Sequence, residues 1–340
     1  MKKISILLIL ALVIGLLAGC AGTPVVYYTE CTCPVGSHDN TQNQGGNQGG
    51  TQNQGGNQTT TPNEPAGEGA VKTGLYIGAS VSDELKFDAT MVAVLVDDNG
   101  VIVDCIIDGV SENVTPETAA GSIRTKNEKG ADYGMVAWGG AIAEWDEQAA
   151  AMAAYAIGKT VDELKNGDID ASGYAIEGTD LASSATMNLY GCVAGIEAAV
   201  NNAQHLGAQS GDTLKLATIG SIGDDQAVNL DVVALTMNGE TITSCVIDAV
   251  QSKVPYEGSA TYQTKNQQGE GYGMVAFGGA IAEWNVQAAS FASYVTGKTA
   301  AEVAGIAVDE GTKPTDADLT ASVTIAIGGF QALIAKALAQ

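Results

Sequence analysis

Two threonines stand in matching contexts. Thr186 lies in "DLASSATMNLYG" (Asp180–Gly191) and Thr324 in "DLTASVTIAIGGF" (Asp318–Phe330), each just ahead of a helix-like run. A helix N-terminus offers unsatisfied backbone N–H groups and partial positive charge, so a hydroxyl there is well placed beside a phosphate. Ser184 and Ser322 allow a second reading, as caps of that helix with nothing attached. Lys126 and Lys265 recur in Thr-Lys-Asn, and Lys159 and Lys298 in Gly-Lys-Thr; these could neutralise an anion or simply persist from a duplication. Gly-Lys-Thr lacks the upstream glycine of a P-loop, which argues against nucleotide hydrolysis. Aromatic candidates for holding a flat ligand are Tyr133, Trp138 and Trp145, with Tyr272, Phe277 and Trp284 in the second copy. Trp145 and Trp284 fall on an apolar helical stripe and read as core, whereas Tyr133 and Tyr272, flanked by glycines, read as exposed. There is no Ser-His-Asp set and no metal-ligand spacing of cysteine and histidine, so neither a stand-alone enzyme nor a zinc site is expected.

The elements that must position these residues are written twice. "TKNEKGADYGMVAWGGAIAEWDEQAAAMAAYAIGKT" (Thr125–Thr160) returns as "TKNQQGEGYGMVAFGGAIAEWNVQAASFASYVTGKT" (Thr264–Thr299). A period this long is domain duplication, since solenoid repeats run about 20–50 residues. The copies are placed at 71–205 and 210–340. Each opens with β-rich runs around an Asn-Gly pair, Asn99-Gly100 or Asn238-Gly239, a hairpin signal. A helix follows, with Ile142, Trp145, Ala149 and Met152 at helical spacing, or Ile281, Trp284, Ala288 and Phe291; Gly158 and Gly297 stop it. A last helix carries Leu189, Val193, Ile196 and Val200, or Phe330, Leu333, Ile334 and Leu338. Strands then helices predict an α+β fold: two tandem copies of a small domain with an antiparallel sheet covered by helices on one face.

Residues 1–19, "MKKISILLILALVIGLLAG", have a basic start and an apolar stretch too short for a comfortable span, which is a secretory signal. With Cys20 next it resembles the bacterial lipoprotein signal, which implies cleavage before Cys20 and lipid on its sulfur; an ordinary cleaved signal is the alternative. The resemblance places the protein on the cell membrane, lipid-anchored and facing outside the cytoplasm. Residues 20–70 read as a tether, and 39–70 contain no large apolar residue, which predicts a disordered spacer with an r.m.s. reach of about 30 Å. Cys31 and Cys33 lie in this tether, while Cys105 and Cys245 fall within apolar strand runs and read as buried. The net charge of −24, from 15 Lys+Arg and 39 Asp+Glu, argues against nucleic-acid binding.

The order of hairpin, helix, Asp-x-x-Ser/Ala-Ser-x-Thr and final helix, with openings "GLYIGASVSD" and "KLATIGSIGD", resembles the FMN-binding domain family. That family occurs in membrane quinone-reductase subunits and in flavinylated lipoproteins of extracellular electron transfer. Its motif, Asp-x-x-Ser/Thr-Gly-Ala-Thr/Ser, carries FMN on the threonine through a phosphoester made by a separate transferase. The resemblance implies Asp180, Ser183, Ala185 and Thr186 as the first motif and Asp318 and Thr324 as the second. Ser184 and Ser322 replace the family's glycine, and Val323 its alanine. It further implies a membrane redox partner and an electron-carrying role; a non-catalytic lipoprotein binding a small ligand or a protein is the alternative.

Overall fold

Strand β2 (Lys86–Val96) reads "KFDATMVAVLV", and from Met91 to Val96 it is buried without interruption. An unbroken buried run needs cover on both sheet faces, whereas a half-solvated strand alternates. The computed structural model describes residues 69–340 apart from 116, 119–120 and 253–258; the signal segment, Cys20, Cys31, Cys33 and the Asn/Gln/Gly stretch to residue 68 lie outside the described residues.

The first repeat has β1 (Lys72–Val81), β2, β3 (Ile102–Asn113) and the two-residue β4 (Ser122–Ile123). Its helices are α1 (Lys126–Lys129), α2 (Met135–Gly139), α3 (Trp145–Ala156), α4 (Val161–Lys165), α5 (Asp180–Ser184) and α6 (Tyr190–Asn201). The second follows the same plan: β5 (Thr213–Ile222), β6 (Val228–Asn238), β7 (Thr241–Gln251) and β8 (Ala260–Tyr262), then α7 (Lys265–Gln268), α8 (Met274–Gly278), α9 (Trp284–Val295), α10 (Ala300–Ala304), α11 (Ala317–Thr320) and α12 (Gly328–Leu338). The α+β class and the two similar antiparallel-sheet domains are as expected from the sequence.

The covering differs from the expectation. Inward-facing Met91, Ala93 and Leu95 share one core with Leu214, Leu216, Leu230 and Val232 of the other sheet. Their outward neighbours Val92 and Val94 pack beneath α3 and α6, and Val233 and Leu235 beneath α9 and α12. The layers therefore run helices, sheet, sheet, helices, with each sheet covered on both faces.

The repeats also exchange strands. The sheet orders are β3-β2-β1-β8 and β4-β5-β6-β7. Ile123 of β4 pairs with Gly220 in the second repeat's sheet, and Tyr262 of β8 pairs with Ala79 in the first's. Lys336 of α12 reaches back to Glu128 of the first repeat in an ion pair. In the first repeat α6 lies close on the sheet at Gly74, where an added Cβ would come within 2.1 Å of the Ala199 carbonyl oxygen.

Candidate functional site: a threonine loop and an aromatic turn held by one helix

The start of α3 grips two loops. The buried Glu144 carboxylate accepts from Met135 N (2.8 Å) and Val136 N (3.1 Å), closing the free N–H groups at the start of α2. Glu283 does the same for Met274 N (2.8 Å) and Val275 N (3.0 Å) at α8. Left-handed glycines bound the first turn, Gly134 at φ 81° and Gly140 at φ 63°, where another residue would be strained. Between them the turn projects Trp138, 87% exposed, and its counterpart projects Phe277, 92% exposed.

Four residues after Glu144, on the same helix face, Gln148 is fully buried with its amide committed. Its Oε1 accepts from Thr186 N (2.8 Å) and Met187 N (2.9 Å), and its Nε2 donates to Ala143 O (2.8 Å). Gln287 accepts from Thr324 N (2.8 Å) and donates to Ala282 O (2.7 Å). A single helix end thus fixes both the aromatic turn and the threonine loop, and the chain builds this twice. Thr186 is exposed, with its Oγ1 3.5 Å from the Gln148 oxygen; Thr324 is half-buried, at 3.2 Å from Gln287.

The other residues singled out from the sequence fall as follows. Asp180 and Asp318 are exposed in the first turns of α5 and α11, whose caps are Thr179 and Asp316. Ser184 ends α5, and the Ser322 hydroxyl donates to Leu319 O (3.4 Å). Neither serine caps the last helix, which starts after Leu189 or Ile327 without a side-chain cap. Neither has positive φ, so the backbone at these positions makes no demand for glycine. Tyr133 and Tyr272 are half-buried rather than exposed. Lys126 lies 5.2 Å from the Tyr133 ring centre and 4.7 Å from that of Trp145, and Lys265 lies 5.1 and 4.9 Å from Tyr272 and Trp284. Lys159 and Lys298 lie over Tyr155 and Tyr294 in the same way. Trp145, Trp284, Cys105 and Cys245 are core residues, as expected. Ile142 and Ile281 are not: they precede the helix and are 55% and 57% exposed, beside the aromatic turn.

The chain matches no family model, no curated protein and no solved structure. Its residues therefore have to speak for any cofactor. Thr186 and Thr324 fit as attachment points for a phosphate, because the loop is held through backbone N–H groups, leaving each hydroxyl only a long bond to the glutamine oxygen, and Thr186 is exposed. Helices α6 and α12, of 12 and 11 residues, begin four positions later and bring the partial positive charge of a helix N-terminus, although Tyr190 N at the start of α6 already donates to Asn188 Oδ1 (3.0 Å). Trp138 or Phe277 offers an uncovered ring face to a flat ring system.

Each repeat also buries a carboxyl with altered affinity for protons, where β3 meets α1 and β7 meets α7. Asp108 Oδ1 accepts from Gly109 N (2.7 Å) and Asn127 N (3.1 Å); Asp248 Oδ1 accepts from Ala249 N (2.7 Å) and Asn266 N (3.0 Å). Burial pushes both up to about 6 from an ordinary 3.8, outweighing those bonds. Between these values the folded chain holds protons that the unfolded chain has released. Stability from these groups therefore rises as pH falls from above 6 towards 4. Urea unfolding should show a more stable chain at about pH 5 than at about pH 7.5, by roughly 1–1.5 kcal/mol per group. Relief of acidic repulsion acts in the same direction, so the decisive comparison is Asp108→Asn, which should remove the first repeat's share of the pH dependence. An unchanged pH dependence in that variant would contradict the assignment.

Proposed function

We propose that the chain is a lipid-anchored electron carrier facing outside the cytoplasm, with one FMN joined to Thr186 and one to Thr324. The reading is carried by the duplicated Glu-x-x-x-Gln grip, which sets a threonine loop and an uncovered aromatic ring on one helix end. A bound flavin would supply one- and two-electron chemistry. The chain's own part is positional. Gln148 and Gln287 keep the threonine loops in place, the N-termini of α6 and α12 favour a phosphate, and Trp138 and Phe277 cover one ring face. A separate transferase would attach the flavin, and a membrane redox partner would exchange electrons with it.

The test is co-expression of the exported chain with an FMN transferase, read as flavin fluorescence on a denaturing gel. Thr186→Val should remove about half of the signal and Thr186→Val with Thr324→Val all of it, as expected for two independent sites. A dark band beside a fluorescing member of the FMN-binding domain family would overturn the reading. The exposed pairs Trp138 with Ile142 and Phe277 with Ile281 would then favour the binding-protein alternative, with these turns as contact points.

A further inference from the structure

The linker between the repeats and the outer side of β7 and α9 enclose a cavity of about 640 Å³, a volume in the range of small-molecule sites. Its polar lining comes from Asn202, Gln204, Asn266, Asn285, Ser293 and Thr296. In a chain with a net charge of −24, no Asp, Glu, Lys or Arg lines it. The imidazole at its rim, His205, is already engaged by Asp98 at 2.9 Å. The remaining wall is largely aliphatic, including Leu206, Ala289 and Ala292, and no Phe, Tyr or Trp contributes to it.

One polar atom of this lining is incomplete. Asn285 Oδ1 is buried without a hydrogen-bond partner, and a buried amide oxygen left in that state costs about 1–3 kcal/mol. The first repeat has Asp146 at the matching position, with its Oδ1 likewise buried without a partner, so the repeats share the unpaired oxygen and the residue lining this cavity is the neutral form of that pair.

We propose that this cavity binds an uncharged saccharide of one or two rings, with the Asn285 side chain turning to present its buried Oδ1 to a ligand hydroxyl. Vicinal hydroxyls both donate and accept, as do the amides and hydroxyls of this wall. The aliphatic patches suit the C–H faces of a sugar ring. A charged ligand would meet no acidic or basic side chain in the lining other than His205, already paired with Asp98, and a flat base or flavin would find no Phe, Tyr or Trp face to stack on. The site is separate from the threonine loops and does not depend on the flavin reading.

The measurement is saturation-transfer NMR on the whole exported chain with glucose, N-acetylglucosamine and cellobiose, each at up to about 10 mM, where a Kd near 1 mM would still register. Transfer to at least one sugar is expected, with binding weakened about tenfold or more by Asn285→Leu. Ala289→Trp, at an exposed helix position, should fill the cavity mouth and abolish binding even if Asn285→Leu fails to fold. Transfer to none of the three sugars, or transfer unchanged by Ala289→Trp, would overturn the proposal.

Discussion

Gln148→Leu should lower the stability of the folded chain by about 3 kcal/mol and detach the Thr186 loop from α3. The substitution keeps the volume of a fully buried side chain but removes both ends of its amide. Thr186 N and Met187 N lose their acceptor, and Ala143 O loses its donor. Each buried group left without a partner costs about 1–3 kcal/mol; the loop can swing out and recover part of this from water, which brings the sum down to the stated figure. Equilibrium urea unfolding reads the stability. The same variant should lose flavin labelling at Thr186 while keeping it at Thr324, because Gln287 holds the second loop independently. A loss of less than about 0.5 kcal/mol, the scatter of ordinary surface changes, would mean that the amide is not what holds the loop. Gln287→Leu should show the mirror result.

Much of each repeat is legible in its residues. The Asn-Gly hairpins, the stripe of Trp145, Ala149 and Met152, and the last helix with Ile196 or Leu333 each follow from local pattern, and each is present. The double cover of the sheets also has a sequence signal, the unbroken apolar run from Met91 to Val96, which points away from a half-solvated sheet. Gln148 is a polar residue set among Trp145, Ala149 and Met152 on the buried face, and that misplacement is the mark by which it could be found. Ile142 misleads because its spacing continues the helical stripe, while Gly139-Gly140 ends one helix before the next begins. The strand exchange leaves no such mark: a strand of two residues has no period, and its partner lies some hundred residues away.

The four matched lysines illustrate how charge reads differently in sequence and in space. Their recurrence suggests an anion site, yet each Nζ lies over one or two rings of its own repeat. Such contacts contribute about 0.5–1 kcal/mol each when exposed and more when desolvated, which is reason enough for their retention. Residues 179–190 and 316–328 contain no lysine or arginine, so a phosphate at Thr186 or Thr324 would rely on the helix N-terminus and on cations from elsewhere in the fold, such as Lys126, whose charge acts on Cys192 in the first turn of α6.

Separating the repeats should have the largest effect of all. In a chain of residues 69–208 alone, β1 would lack its neighbour β8, and the inner face bearing Leu75, Ile77, Phe87 and Met91 would lose the opposing sheet. Exposing each such side chain costs about 1.5–3 kcal/mol, so four of them together match the whole stability of an ordinary domain. The isolated repeat should not persist as a folded monomer. It does carry β4, whose Ile123 stands where Tyr262 stands in β8, two residues before Thr-Lys-Asn in both. Two copies could exchange β4 and face their sheets together, as the two repeats do within one chain. Sedimentation equilibrium should therefore find a dimer, and Ile123→Asp, which puts a carboxylate into the shared core, should disperse it into unfolded chain. In the full-length protein that substitution should cost about 3 kcal/mol or more. A cooperative, folded monomer of the single repeat would show that the sheet-to-sheet core is an interface between two finished domains, and that the strand exchange merely decorates it.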